Sequence, residues 1–106
     1  MPSRNYIPSE IQQPYTLGHG FTFTTTLGTA QDALVLSRMD VANKISVIVE
    51  LADAYIDFDR DATTSSMLLP INSTYSDDNI TIDSRISILR FGATNARVRG
   101  IIWGRG

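Results

Sequence analysis

The chain has 106 residues, a net charge of −2, and 42% hydrophobic and 19% charged residues, which is the balance of one folded domain. It contains no cysteine, which excludes a disulfide framework, a thiolate metal site and a cysteine nucleophile. No apolar run reaches the roughly 20 residues that a membrane-spanning helix needs, and the start lacks the apolar centre of a secretory signal. We therefore expect a protein made in the cytoplasm that binds neither a membrane nor a cofactor.

The charge is unevenly distributed along the chain. Residues 1–83 contain all eleven acidic and four of the nine basic residues, so they carry a net charge of −7, and residues 84–106 carry +5. Eight of the nine basic residues are arginines, which form bidentate contacts with carboxylates and are common at interfaces. This asymmetry favours self-association or docking onto a larger protein.

Residues 1–17 are predicted to form an extended N-terminal arm. Pro2, Pro8 and Pro14 recur at even intervals, and each proline holds its predecessor in an extended conformation. We expect apolar side chains between the prolines to contact a groove on a neighbouring protein, because a stiffened segment loses little entropy on binding. The candidate contact residues are Tyr6, Ile7, Ile11 and Tyr15. A loose tail is the alternative.

Residues 18–106 are predicted to form one β-domain. Residues 21–26 alternate aromatic and hydroxyl side chains, and residues 33–36 are an apolar run that we interpret as a strand, although residues 30–40 also fit an amphipathic helix. In residues 44–51 a period of two places one apolar set on a single face, with Ile48 opposite. That inward set is Ile45, Val47, Val49 and Leu51.

The rest of the chain continues the β pattern. Residues 72–79 are rich in turn-forming types, and residues 92–95 are predicted to be a hairpin loop between the last two strands. We therefore expect an all-β, single-domain antiparallel β-sandwich or jelly roll of seven to eight short strands. The further predicted strands are residues 55–58, 67–69, 80–82, 85–91 and 96–103.

Catalytic signals are weak. The single histidine, His19, lies between two glycines, which we interpret as a loop position. Sequence motifs for a nucleophile elbow, a phosphate-binding glycine loop or a zinc protease do not occur in the chain. We therefore predict that the protein is not an enzyme.

Asp57, Asp59 and Asp61 form a D-x-D-x-D pattern like the start of a calcium loop. An EF-hand loop beginning at Asp57 needs glycine and glutamate where the chain has Ala62 and Leu68. The EF-hand interpretation is therefore excluded, and we predict no metal site. Solvated carboxylates at a strand end are the preferred interpretation, and an irregular calcium or magnesium site that also uses Asp53 is the alternative.

The last predicted strand carries the basic residues of most interest. Arg97 and Arg99 alternate with a valine, so both emerge on one face, and Arg105 extends this line. A nucleic-acid interface with Trp103 stacking on a base would use such a pattern, but the pI of 5.1 argues against it. We predict that the arginines meet carboxylates of a neighbouring subunit. A sugar-stacking platform around Trp103 is an alternative.

Four segments together resemble small structural proteins of tailed-bacteriophage virions. An acidic strand leads into a threonine- and serine-rich turn in residues 62–70, in which Met67 stands where glycine is usual. The other segments are residues 55–59, 86–88 and 96–104.

This resemblance implies a virion protein with a β-sandwich fold. The expected function is that of a capsid cement or decoration protein, which binds the major capsid protein or other virion proteins and forms a homo-oligomer, with a trimer favoured. A neck, tail or head-fibre component is the alternative within virions, and a carbohydrate-binding module is the alternative outside them.

Overall fold

The computed structural model describes residues 17–36 and 41–105. Over these ranges the chain is all-β, as predicted. The predicted arm lies outside the described residues except for Leu17, and so do Tyr6, Ile7, Ile11 and Tyr15. The eight strands within the described ranges are β1 (Leu17–Thr24), β2 (Gln31–Val35), β3 (Val41–Glu50), β4 (Ala54–Phe58), β5 (Met67–Leu69), β6 (Thr74–Asp77), β7 (Arg85–Arg90) and β8 (Arg97–Arg105).

The strands form two antiparallel sheets of four. Sheet A has the order β1-β8-β3-β6, and sheet B has the order β2-β7-β4-β5. The first strand pairs with the last, the second with the seventh, the third with the sixth and the fourth with the fifth. This nested pairing is that of a jelly roll, so the structure shows the second of the two predicted architectures. Over the two described ranges there is no helix with the length and apolar character needed to cross a membrane.

Branched aliphatic residues from both sheets form the core. Ile45 and Val49 of β3 are fully buried, and they share one apolar cluster with Ile86 and Ile88 of β7. Burying each such side chain contributes about 1.5–3 kcal/mol. The predicted inward face of β3 is confirmed except for Leu51, which lies beyond the strand end and is exposed.

Two predictions, the turn at residues 72–79 and the strand at residues 80–82, are wrong. The turn-rich stretch contains β6, which pairs with β3, and the predicted strand at residues 80–82 makes only an isolated bridge between Ile82 and Ala42. Tyr75 gives β6 a partly buried side chain, and its hydroxyl donates to Asp77 at 2.9 Å. Ile80 and Ile82 bury their side chains from a loop, so burial rather than strand pairing explains that apolar run.

The predicted hairpin at residues 92–95 is also wrong. β7 belongs to sheet B and β8 to sheet A, so this loop crosses from one sheet to the other. The strand interpretation of the second apolar run is confirmed for Gln31–Val35, whereas residues 37–40 lie outside the description.

Two glycines allow β8 to lie close to β3. A Cβ atom on Gly100 would lie 2.9 Å from the Cα atom of Val47, and one on Gly104 would lie 2.9 Å from the carbonyl carbon of Val41. Real Cβ atoms do not approach backbone atoms so closely, so the glycines are required by packing.

We expect Gly100→Ala to destabilise the protein by about 1–3 kcal/mol, because the methyl group would force β8 away from β3. Gly92→Ala is the matched control, because a Cβ atom there has no neighbour within 4 Å. Urea unfolding of both variants measures the difference. Equal stabilities would contradict the close-packing argument.

Candidate docking surfaces

One end of the jelly roll presents a set of exposed apolar side chains. Four loops, residues 25–30, 51–53, 70–73 and 91–96, meet there and are called the loop end. Each loop exposes one large hydrophobic residue, and these four are among the seven such residues exposed in the described part of the chain. They are Leu27 (55% exposed), Leu51 (51%), Ile71 (44%) and Phe91 (57%).

Asp53 ties three of these loops together. Its carboxylate accepts a hydrogen bond from the Ile71 N–H at 2.7 Å, and its carbonyl oxygen accepts one from the Phe91 N–H at 3.1 Å. Leu51 lies two residues before it in the same turn. The apolar side chains are therefore carried by hydrogen-bonded backbone, which lowers the entropy cost of binding a partner.

The fourth loop is also fixed. The Gln31 side-chain oxygen accepts hydrogen bonds from the Thr26 and Leu27 N–H groups at 2.8 and 3.0 Å. The preceding residue, Thr25, is fully buried and exchanges hydrogen bonds with Ala96 of the adjacent loop. Leu27 thus projects from a turn anchored on both sides.

Leu51 adopts a strained conformation for a leucine. Its φ of 75° lies in the left-handed region, which costs an L-residue with a Cβ atom roughly 1–2 kcal/mol. Asparagine tolerates this region better, and Asn72 occupies it in the neighbouring loop with a φ of 66°. Strain at an exposed apolar residue often marks a functional position, so Leu51 is a candidate contact residue.

The opposite end of the molecule is acidic. Its described loops contain Asp59, Asp61, Asp78 and Asp83 against Arg60, whereas Asp53 is the single charged residue in the four loops of the loop end. The molecule therefore has an apolar end and an acidic end. This polarity was not predicted from the sequence, although each loop-end residue is a lone large hydrophobic in a turn, such as Phe91 before Gly92.

Asp59 organises the acidic end. Its carboxylate accepts hydrogen bonds from the N–H groups of Asp83, Ser84 and Arg85 at 2.7–3.2 Å and from the Ser84 hydroxyl at 3.1 Å. Burial raises the pKa of this carboxyl, but the hydrogen bonds outweigh burial and leave the pKa below its ordinary value. Asp59 therefore caps residues 83–85 as a carboxylate.

Asp59→Asn is expected to lower the free energy of unfolding by about 1 kcal/mol at pH 7, because an amide oxygen accepts fewer and weaker hydrogen bonds and the site is solvent-screened. Since the folded-state pKa is depressed, the carboxylate stabilises the fold above its unfolded pKa of about 3.9, and the gain is lost as pH falls through the folded value. Urea unfolding from pH 7 to pH 2.5 should show the two proteins converging. Asp83→Asn, which leaves the capped N–H groups in place, should show no such gap.

The outer face of sheet A contains the arginines selected from the sequence. Arg97 and Arg99 do lie on one face of β8, and the Nε atom of each donates to the same oxygen of Glu50, at 2.8 and 2.9 Å. The hydrogen bond from Arg97 lowers the pKa of Glu50, and the charge of Arg99 adds to this although burial opposes it. Both arginines therefore share a carboxylate within the chain, and their contact with a neighbouring subunit's carboxylate stays a prediction.

Trp103 lies at the other end of the same face. The Lys44 ammonium lies 4.7 Å from the ring centroid, and a Cβ atom on Gly18 would lie 3.4 Å from the indole nitrogen. Lys44 thus covers one face of the ring, which leaves less of it for stacking on a sugar or a base. The side chain of Arg105, the last predicted contact, is outside the description.

Between these two groups a shallow trough crosses sheet A. It has a volume of about 540 Å³. Its lining includes Ile101, Ile48 and Ser46, and the Ser46 hydroxyl lies 3.0 Å from that of Ser76 on β6. Trp103 and Lys44 border one side, and Arg99 borders the other.

The three aspartates of the D-x-D-x-D pattern are each held by hydrogen bonds or ion pairs, and Arg85 is a partner of both Asp59 and Asp61. Asp57 accepts from the Ser66 hydroxyl at 2.9 Å and pairs with Arg60 at 3.3 Å, and Asp61 pairs with Arg85 at 2.6 Å. In the described part of the chain no three potential metal-ligating side chains gather. The alternative ion site is not assembled by this geometry.

His19 lies within β1 rather than in a loop. It is exposed and pairs with Ile102 of β8 in the sheet register. The loop interpretation of this residue is therefore wrong, and the strand extends through both flanking glycines.

Comparison with family models, curated proteins and solved structures finds no match to the chain.

Replacing the shared carboxylate, Glu50→Gln, should leave Arg97 and Arg99 in mutual repulsion. We expect a lower melting temperature than that of the unsubstituted protein at pH 7 and low salt. The difference should shrink near 1 M salt, where charges are screened over about 3 Å, and below about pH 4, because a carboxylate with a depressed pKa stabilises only while ionised. Arg60→Gln, which removes an exposed ion pair, should change the melting temperature little. A salt-independent effect of Glu50→Gln would contradict the ion-pair account.

Proposed function

We propose that the protein is a structural component of a tailed-bacteriophage virion, a capsid decoration protein that binds the assembled shell and is not an enzyme. The loop end is the surface that contacts the shell. The acidic end of the molecule, which lies opposite, faces away from the shell. The four-segment resemblance to small virion proteins supports this assignment, and jelly rolls are a common architecture of viral capsid domains.

The exposed apolar residues of the loop end are the main observation that supports this proposal. Monomeric proteins rarely expose large contiguous apolar patches without a binding function. Here four separate loops each contribute one exposed apolar residue, and Phe91 also contacts Tyr55 on the outer face of sheet B, with ring centroids 5.8 Å apart. A rigid apolar tip of this kind fits a pocket between shell subunits.

The proposed mechanism is multivalent attachment. Each loop end makes a modest contact, and several copies held in one oligomer raise the effective concentration of the next contact. A shell that repeats the same pocket many times suits this mode, because symmetric oligomers present identical surfaces in matching arrangements. Binding should therefore be specific for assembled shells over free shell subunits.

We expect Phe91→Ser to weaken binding to shells by about tenfold or more, because large apolar residues at the centre of an interface dominate its energetics. The assay is co-sedimentation with heads of the phage that encodes the chain, prepared without this protein. Val35→Ser is the matched control, since Val35 is 66% exposed but lies at the opposite end.

Leu51→Asn separates binding from folding. It removes an apolar contact but relieves the left-handed strain, so stability should hold or rise while shell binding falls. Unchanged shell binding by both Phe91→Ser and Leu51→Asn would overturn the loop-end assignment. Binding to isolated neck or tail structures in place of shells would favour the neck or tail alternative, and a glycan-array signal lost on Trp103→Ala would favour the carbohydrate-binding alternative.

A further inference from the structure

We infer that the loop end binds a carboxylate of its protein partner through the guanidinium group of Arg90. The inference rests on the loop end being the contact surface proposed above, and it names the chemical group that the partner supplies there. It assigns a role to an arginine that has no acidic partner within the described part of the chain.

Arg90 is the last residue of β7 and points between the two sheets. Ile86 and Ile88, four and two positions earlier in the strand, are fully buried in the core. Alternation along a strand turns Arg90 to the same side, whereas Phe91 turns outward and contacts Tyr55 on the outer face of sheet B. The guanidinium group therefore closes the core at the loop end.

The charge of Arg90 has a neutral partner only. Its Nη1 atom donates to the side-chain oxygen of Asn95 at 2.6 Å, and its Nε atom is buried without a hydrogen-bond partner. A partly buried charge without a counter-ion is costly, and a carboxylate supplied by a partner would remove that cost. The other arginines with described side chains each pair with a carboxylate at 2.6–3.3 Å, and they are Arg60, Arg85, Arg97 and Arg99.

Gly28, in the loop between β1 and β2, leaves the guanidinium group accessible. The glycine is exposed, and a Cβ atom on it would lie 3.3 Å from the Nη2 atom of Arg90 and 3.8 Å from the Nε atom. Any larger side chain would therefore cover this edge of the group. The φ angle of Gly28 lies outside the left-handed region, so the backbone does not require glycine here. Its small size instead suits the close approach of a ligand to Nη2.

The surroundings of Arg90 favour a protein carboxylate over a polyanion. Nucleic-acid binding uses several cations along a phosphate backbone, but the four loops of the loop end contain no basic residue. Arg97, at the start of β8, is already paired with Glu50 on the outer face of sheet A. A single unpaired arginine among exposed apolar residues suits an aspartate or glutamate side chain of a folded protein, because arginine matches the geometry of a carboxylate and is common at the centre of interfaces.

Acetate tests the site without shells. The full chain is titrated with sodium acetate, and in parallel with sodium chloride at equal ionic strength, while the NMR signals of the Arg90 Nε–H and Gly28 N–H groups are followed. We expect a saturable shift with acetate alone, because a carboxylate accepts charge-assisted hydrogen bonds and chloride only screens the charge. Gly28→Val should abolish the shift by covering Nη2. Gly92→Val, where a Cβ atom has no neighbour within 4 Å, should keep it.

Co-sedimentation with heads tests whether the site takes part in shell recognition. Arg90→Gln removes the charge and keeps a side-chain amide, so it should weaken binding by about tenfold or more and flatten the decrease of binding with salt. Gly28→Val should have the same two effects with the arginine in place, and it decides the question if Arg90→Gln does not fold. Arg60→Gln, at the acidic end, is the charge-matched control and should change neither quantity.

The outcomes separate this inference from the proposed function. Equal responses to acetate and chloride, or a response to inorganic phosphate and not to acetate, would overturn the carboxylate site. Full shell binding by Arg90→Gln and Gly28→Val, with weakened binding by Phe91→Ser, would overturn carboxylate recognition and leave the loop end as the contact surface. A specific acetate shift, with shell binding that none of these variants changes, would keep the carboxylate site and overturn the loop-end assignment.

Discussion

The nested strand pairing is the constraint from which the surfaces of this protein follow. Because β1 pairs with β8 and each inner pair follows the same rule, the loops that leave β1, β3, β5 and β7 must meet at one end. Four apolar residues separated by up to 64 positions in sequence are therefore brought to the same end of the molecule. The same pairing places the start of β1 at the other end of the molecule.

The elements that were predicted correctly are those whose own apolar and polar residues form a recognisable strand pattern. β3 alternates because one of its faces is buried and the other is partly open, and β5 was located as a short apolar run that ends at Pro70. Local pattern failed for residues 72–82, where a predicted turn contains β6 and a predicted strand lies in a loop. Strand formation in β6 depends on the edge of β3 being available, which is a property of the neighbour. Ile80 and Ile82 are apolar because they fill the core, and a core residue needs no strand.

Charge was harder to interpret than hydrophobicity. Arg97 and Arg99 were correctly placed on one face, but their partner lies 47 or more positions earlier, on β3. A partner at that separation is set by register, which the local sequence does not encode. Asp57, Asp59 and Asp61 show the same effect, since Asp59 and Asp61 contact Arg85 and its neighbours, which lie more than 20 positions later, and Asp57 contacts Ser66. Short-range charge patterns in a jelly roll therefore indicate available groups and say little about where those groups bind.

Pairing within the chain also changes what the outer face of sheet A can recognise. An arginine that already shares a carboxylate is a weaker anchor for a foreign one, since binding must compete with an existing contact. What remains open is the apolar floor between the two charged borders, where shape and hydrophobic contact decide the occupant. The charged borders then act mainly on the orientation of whatever binds between them.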